Sequence, residues 1–87
     1  MGMYDNLKIK SINRKKFRKE HKLLDFQTKD LECDLLDYYI DDDILYIDGN
    51  IVYFSGCIDI IAQLKDKFIE YKLFLHEGLV FSVEYYE

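Results

Sequence analysis

Lys67-Phe68-Ile69-Glu70-Tyr71-Lys72-Leu73-Phe74-Leu75-His76, then Glu77-Gly78, then Leu79-Val80-Phe81-Ser82-Val83-Glu84-Tyr85-Tyr86 is the stretch that decides the fold. Two runs rich in Tyr, Phe, Ile, Leu and Val flank a Gly-containing turn, which is the signature of a β-hairpin. The first run alternates Ile69, Tyr71, Leu73 and Leu75; the second alternates Leu79, Phe81, Val83 and Tyr85. A two-residue turn at Glu77-Gly78 sets Leu73 against Ser82 and Tyr71 against Glu84. A three-residue turn over His76-Glu77-Gly78 pairs Leu75 with Leu79, Leu73 with Phe81, Tyr71 with Val83 and Ile69 with Tyr85. A one-residue slip moves a whole hydrophobic set, so the all-apolar register is expected, with Gly78 in the left-handed third loop position.

Outward from this hairpin, residues 31 onward continue in the same texture. Turn-like breaks at Asp41-Asp42-Asp43, Asp48-Gly49-Asn50 and Ser55-Gly56 separate short apolar runs. Strands are expected near 31–40, 44–47, 51–54, 57–62, 67–76 and 79–86. Residues 58–68 also carry a helical spacing (Ile58, Ile61, Leu64, Phe68), but β-branching favours a strand over 57–62 and a turn at 63–66. The fold expected is a mainly β single domain over 1–87, with α+β as the alternative. It is a small antiparallel sheet or meander of about five to six strands behind a basic N-terminal arm or short helix over 1–29. In that arm Tyr4, Leu7, Ile9 and Ile12 settle no period, while Asn13 is placed to cap a short helix showing Phe17, His21 and Leu24 on its inner side.

The composition suits a small domain that must build a dense core. Of 87 residues 49% are hydrophobic and 16% aromatic, so a disordered chain is not expected. Tyr38, Tyr39, Tyr46, Tyr53, Tyr71 and Tyr85 are read chiefly as core, with Tyr38, Tyr86 or Phe68 as candidates for an exposed interface. No run is long and apolar enough for a membrane helix, no signal sequence is recognised, and no proline occurs. A cytoplasmic-type domain with no membrane partner is expected.

The net charge of −5 conceals a division along the chain. Residues 1–29 carry +6, residues 30–59 carry nine acids and no Lys or Arg, and residues 60–87 carry −2. Part of that opposition is expected to neutralise itself in the fold. Two binding readings remain. Asp30, Glu32, Asp34, Asp37, Asp41, Asp42 and Asp43 form a candidate face for a protein with a basic surface. Arg14, Lys15, Lys16, Arg18, Lys19 and Lys22 form a candidate nucleic-acid site, the weaker expectation because the acidic stretch repels phosphate.

Chemistry is sparse. Cys33 and Cys57 lie 24 positions apart and away from His21 and His76, with no zinc-ligand spacing. Both cysteines fall in expected strands and are read as free thiols. Asp41-Asp42-Asp43 lacks the spacing of a calcium loop and reads as a solvated turn. The glycines form no phosphate cradle and no nucleophile–base pair stands out. No enzyme, metal or cofactor is expected. A homodimer through a sheet edge is a further expectation.

Phe26-Gln27-Thr28-Lys29-Asp30-Leu31-Glu32-Cys33, then Leu36-Asp37-Tyr38-Tyr39-Ile40 and a turn, resembles a group of small phage and prophage proteins. These share an F/W-Q-T-K-x-L-x-C segment and a closing pattern like Glu70-Tyr71-Lys72 through Phe74, Gly78, Leu79 and Val80. Met3-Tyr4-Asp5-Asn6-Leu7-Lys8 is similar to their opening. The chain departs from them in a longer basic insertion around 13–22 and an acidic turn at 41–43 where a Gly-containing turn is usual. The resemblance carries no catalytic residue. It implies a mobile-element protein of the bacterial host cytoplasm that modulates a host or phage protein, such as a nucleic-acid enzyme or defence factor. A nucleic-acid-associated accessory protein is the alternative, and a minor virion or assembly component a third.

Overall fold

The structure, a computed structural model, describes residues 4–86. Eight strands are present: β1 Asp5–Ile9, β2 Asp25–Thr28, β3 Asp37–Asp41, β4 Ile44–Ile47, β5 Asn50–Ile51, β6 Gly56–Leu64, β7 Lys67–His76 and β8 Leu79–Tyr86. One turn of 3-10 helix covers Lys19–His21. Strand order is β3-β1-β2-β6-β7-β8-β4-β5, and β3 also pairs with β4. That last pairing closes seven strands into a barrel with β5 outside the ring, in place of the open five- to six-stranded sheet expected. Closure satisfies strand edges that an open sheet leaves bare. The two-residue β5 is the terminal strand, so the edge proposed for dimerisation is short.

Within the N-terminal third, β1 and β2 supply two staves of the barrel, and the segment between them holds the short helical turn Lys19–His21. β1 lies antiparallel to β2 and parallel to β3, with Leu7 opposite Phe26 on one side and Tyr38 on the other. Asp5, Leu7 and Ile9 point inward, as do Phe26 and Thr28. The alternation was hidden because polar Asp5 and Thr28 occupy inward positions and neither strand exceeds five residues. Strand β6 settles the 58–68 ambiguity: Ile58, Ile60 and Ala62 all face the core, and a turn at Lys65-Asp66 leads into β7. Expected strand 31–40 shrinks to β3, and 51–54 to β5. Cys33 therefore sits in a loop, and Tyr53 is exposed rather than in the core.

The last hairpin adopts neither simple register. His76 pairs with Leu79 and Leu75 with Val80, but Phe74 pairs with Ser82, Leu73 with Val83 and Tyr71 with Tyr85. Glu77 and Gly78 have φ of 48° and 88°, the two-residue type I′ pattern whose twist suits a hairpin. Phe81 is then the extra residue of a bulge, and the bulge resets which side chains face inward. Val80 and Val83 are both buried, whereas Leu79 and Phe81, expected in the core, are about half exposed. The expected pairs of Leu73 with Phe81 and Tyr71 with Val83 are thus each displaced by two residues.

Gly78 is required twice over: by its positive φ and because a Cβ there would sit 2.5 Å from the Val52 carbonyl oxygen. Gly78→Ala is expected to cost about 2–4 kcal/mol, from backbone strain and a forced shift at Val52. Urea unfolding measures it, with Gly49→Ala, whose added Cβ meets nothing within 4 Å, as the milder comparison.

The interior is filled by Leu7, Phe26, Ile40, Leu45, Ile58, Ile60, Leu73, Val80 and Val83. Beside it, residues 10–24 fold over and contribute Ile12, Phe17 and His21 to the core. Phe17 stacks on Tyr71 at 4.1 Å between centroids, and Tyr71 stacks on Tyr85 at 4.7 Å. The Tyr71 hydroxyl accepts the Arg18 N–H at 3.2 Å and lies 2.6 Å from His21 Nδ1. The hydroxyl thus joins the Arg18 backbone to the His21 ring. Burial, with Arg18 and Lys67 nearby, pushes the His21 pKa down, and Glu20 only partly opposes this.

Candidate functional site

β1 and β2 run antiparallel, so the segment joining them, 10–24, and the loop leaving β2, 29–36, lie at opposite ends of the pair. This placement divides the charged residues singled out in the sequence. The −9 stretch does not form one face. Asp30, Glu32, Asp34 and Asp37 belong to the loop after β2 and the start of β3, while Asp41, Asp42 and Asp43 sit at the far end of β3.

The loop is organised by a residue sequence reasoning passed over. Asp5 is fully buried, and its carboxylate accepts N–H bonds from Cys33 at 2.7 Å, Asp34 at 2.9 Å and Leu36 at 2.9 Å. Burial pushes the Asp5 carboxyl pKa up, but hydrogen bonds from Leu36, Asp34, Cys33 and Glu32 outweigh it and hold the pKa below its ordinary value. Wrapping so many amides around one carboxylate forces Cys33 and Leu35 to φ of 57°, uncommon for residues with a Cβ. The Cys33 thiol donates to the Lys29 carbonyl at 2.9 Å. The signal in the sequence is an acid at an inward position of an alternating strand.

The pinned loop projects Asp30, Glu32, Asp34, Leu35 and Asp37 outward. Asp30 Oδ2 accepts the Asp59 N–H at 2.7 Å and so ties the loop to β6, and Asp37 Oδ1 accepts from Asn6 Nδ2 at 3.1 Å. Glu32 and Asp34 have no side-chain partner among the described residues. Leu35, 54% exposed, stands beside them.

The acidic turn at 42–43 is structural. Asp42 and Asp43 have φ of 53° and 66° in a type I′ turn. Asp43 is buried: its Oδ1 accepts the Asn13 N–H at 2.6 Å, and its Oδ2 lies 3.6 Å from Arg14. Asn13 Nδ2 donates to Asp42 at 3.0 Å. Asn13 therefore tethers the turn instead of capping a helix, and Arg14 is spent partly here and partly on the Phe81 carbonyl at 3.5 Å.

No protein-family model matches the chain, and comparisons with curated proteins and with solved structures return no match. The reading of its function therefore stands on its own surface.

On that surface three of the remaining basic residues singled out in the sequence are gathered and two are not. Lys15, Lys16 and Arg18 line an open concavity with Glu84, Tyr85 and Tyr86 at the end of β8. The Arg18 guanidinium lies 4.9 Å over the Tyr85 ring and 3.9 Å from Glu20. Lys22 is turned back, donating to the Ile12 carbonyl at 3.1 Å, and Lys19 lies outside the concavity. Among the described residues no group of three or more His, Cys, Asp or Glu is placed to hold a metal. Cys57 is half-buried in β6, and burial pushes its thiol pKa up, away from the thiolate a nucleophile needs. His76 is exposed at the hairpin end, 4.0 Å from Glu77.

Proposed function

We propose that this protein is an interaction module of phage or prophage type that binds a host or phage protein with a basic surface. The binding element is the loop 30–37 rather than the whole acidic segment. The observation that carries this reading is the buried Asp5 carboxylate. It fixes three backbone amides, and thereby the directions of Glu32, Asp34 and Leu35, before any partner arrives. Preorganisation of this kind spares the ordering entropy that a mobile loop loses on binding. Glu32 and Asp34, whose side chains have no partner among the described residues, together with the exposed Leu35 that follows them supply charge steering and an apolar anchor in one element. Asp41, Asp42 and Asp43 fall outside it, since Asp42 and Asp43 are tied to Asn13 and Arg14.

The test is capture of bacterial host proteins on the immobilised protein, with Glu32→Lys/Asp34→Lys compared against Asp41→Asn. Reversing two charges against a basic partner is expected to weaken a specific capture by at least about tenfold, because like-charge contacts at an interface cost several kcal/mol. Asp41→Asn is expected to leave it unchanged. A partner held equally by wild type and by Glu32→Lys/Asp34→Lys removes the loop from the interface.

A further inference from the structure

A second surface carries the opposite charge. Lys15, Lys16 and Arg18 line a concavity of about 500 Å³ against the end of β8. We infer that this concavity is a sequence-independent site for the phosphodiester backbone of a single-stranded nucleic acid. It is separate from loop 30–37 and does not depend on the function proposed for that loop.

The acidic stretch counts against such a site only while its position is unknown. In the fold, loop 29–36 leaves β2 at the end away from residues 10–24. The five residues of β1 that separate the two ends span about 16 Å, twice the roughly 8 Å Debye length at physiological salt. Of the nearer acids, Asp43 faces Arg14 and Asp42 accepts from Asn13, while Asp41 is exposed at the end of β3. At the concavity itself Glu84 accepts from the Tyr86 hydroxyl at 3.1 Å, and Glu20 faces Arg18. Lys15 and Lys16 have no acidic partner among the described residues, which leaves both free to meet phosphates.

The aromatic residues say which kind of contact dominates. Tyr85 is stacked on Tyr71 and carries Arg18 over its ring, and Lys72 lies 5.6 Å over the Tyr86 ring. Tyr85 thus offers little face to a base, and Tyr86, 40% exposed, has Lys72 over one of its faces. Recognition therefore runs through charge, with little discrimination among bases. Lys15 and Lys16, with Arg18 beside them in one open concavity, suit a flexible single strand, which can bend its phosphates toward so small a cluster of cations.

The experiment is fluorescence anisotropy of the full chain with a labelled twenty-nucleotide dT strand, from 50 to 200 mM salt. About two phosphate contacts, from Lys15 and Lys16, predict a roughly sevenfold loss of affinity over that range. Lys15→Glu/Lys16→Glu is expected to weaken binding at least about tenfold at 50 mM salt while leaving the circular dichroism spectrum unchanged. Lys8→Glu, the same kind of charge reversal on the outer face of β1, is expected to change it less than threefold. Binding lost equally in Lys8→Glu and in Lys15→Glu/Lys16→Glu overturns the site, and so does binding that ignores salt. Displacement of the strand by polyglutamate at equal charge concentration overturns the nucleic-acid assignment and makes an acidic polypeptide the ligand. No binding of dT at 50 mM salt overturns the inference outright.

Discussion

Asp5→Ala is expected to lose about 3–5 kcal/mol of stability, because it removes one acceptor shared by three amides in a loop that has no other means of satisfying them. Against a total of roughly 4–13 kcal/mol for a domain of this length, such a loss brings the protein close to unfolding. Asp5→Asn separates charge from shape. Its carbonyl oxygen can still accept from Asp34 and Leu36, which share Oδ1, but its amide then opposes the Cys33 N–H on the other side. An intermediate loss of about 2 kcal/mol is expected. Urea unfolding gives the energies, and amide exchange at Cys33, Asp34 and Leu36 locates them. Faster exchange confined to those amides is the expected pattern, and unchanged exchange there would refute the pinning role. The pH dependence follows from the direction of the Asp5 shift. A carboxyl whose folded pKa lies below its ordinary value contributes fully above about pH 3.9, and the contribution is lost as pH falls through the folded pKa. The gap between wild type and Asp5→Asn should therefore hold at pH 7 and 5 and close in stronger acid.

Tyr71→Ala is expected to cost about 3–5 kcal/mol, as the largest fully buried side chain, stacked between Phe17 and Tyr85. Tyr71→Phe isolates the hydroxyl. It leaves the Arg18 N–H and His21 Nδ1 without their shared partner, an expected loss of about 1–3 kcal/mol. His21 adds an acid step of its own. Its folded pKa lies below the ordinary 6.5, so its contribution is complete above that value and is lost as pH falls through the folded pKa. Wild-type urea midpoints should fall between pH 7 and 5, and His21→Gln should flatten that step while leaving the Asp5 step at lower pH. A Tyr71→Phe loss under about 0.5 kcal/mol would mean that water replaces the hydroxyl at no cost.

The barrel strands that read clearly in the sequence are those whose inward positions are uniformly apolar. Ile69, Tyr71, Leu73 and Leu75 in β7 announce both strand and face, whereas β6 also carries the helical spacing of Ile58, Ile61, Leu64 and Phe68 and shows its inward set of Ile58, Ile60 and Ala62 only in the fold. β1 and β2 do not, because their inward positions include Asp5 and Thr28 and the runs are too short for a period to emerge. The hairpin register illustrates a different limit. Apolar pairing alone prefers Leu73 opposite Phe81, but the chain also has to turn. A type I′ turn at Glu77-Gly78 with a bulge at Phe81 brings Val80 and Val83 inward together, a solution that simple strand alternation cannot express. The charged site was legible as composition and not as geometry. Nothing local distinguishes Asp43, buried against Asn13 and Arg14, from Asp34, which is free.

The sequence by itself determined a small, tyrosine-rich β domain with opposed basic and acidic segments, since these follow from residue type and short-range alternation. Only the tertiary structure decided that β3 meets both β1 and β4 to close a barrel. It also decided that Asp5 organises a loop nearly thirty residues away, and that the acids of the −9 segment are scattered, four on or beside that loop, three at the β3–β4 turn where Asp43 meets Arg14, and Asp48 and Asp59 elsewhere. These outcomes depend on which distant backbone amides and cations reach each carboxylate. Contacts of that range are set by strand order, and strand order leaves no local mark on the chain.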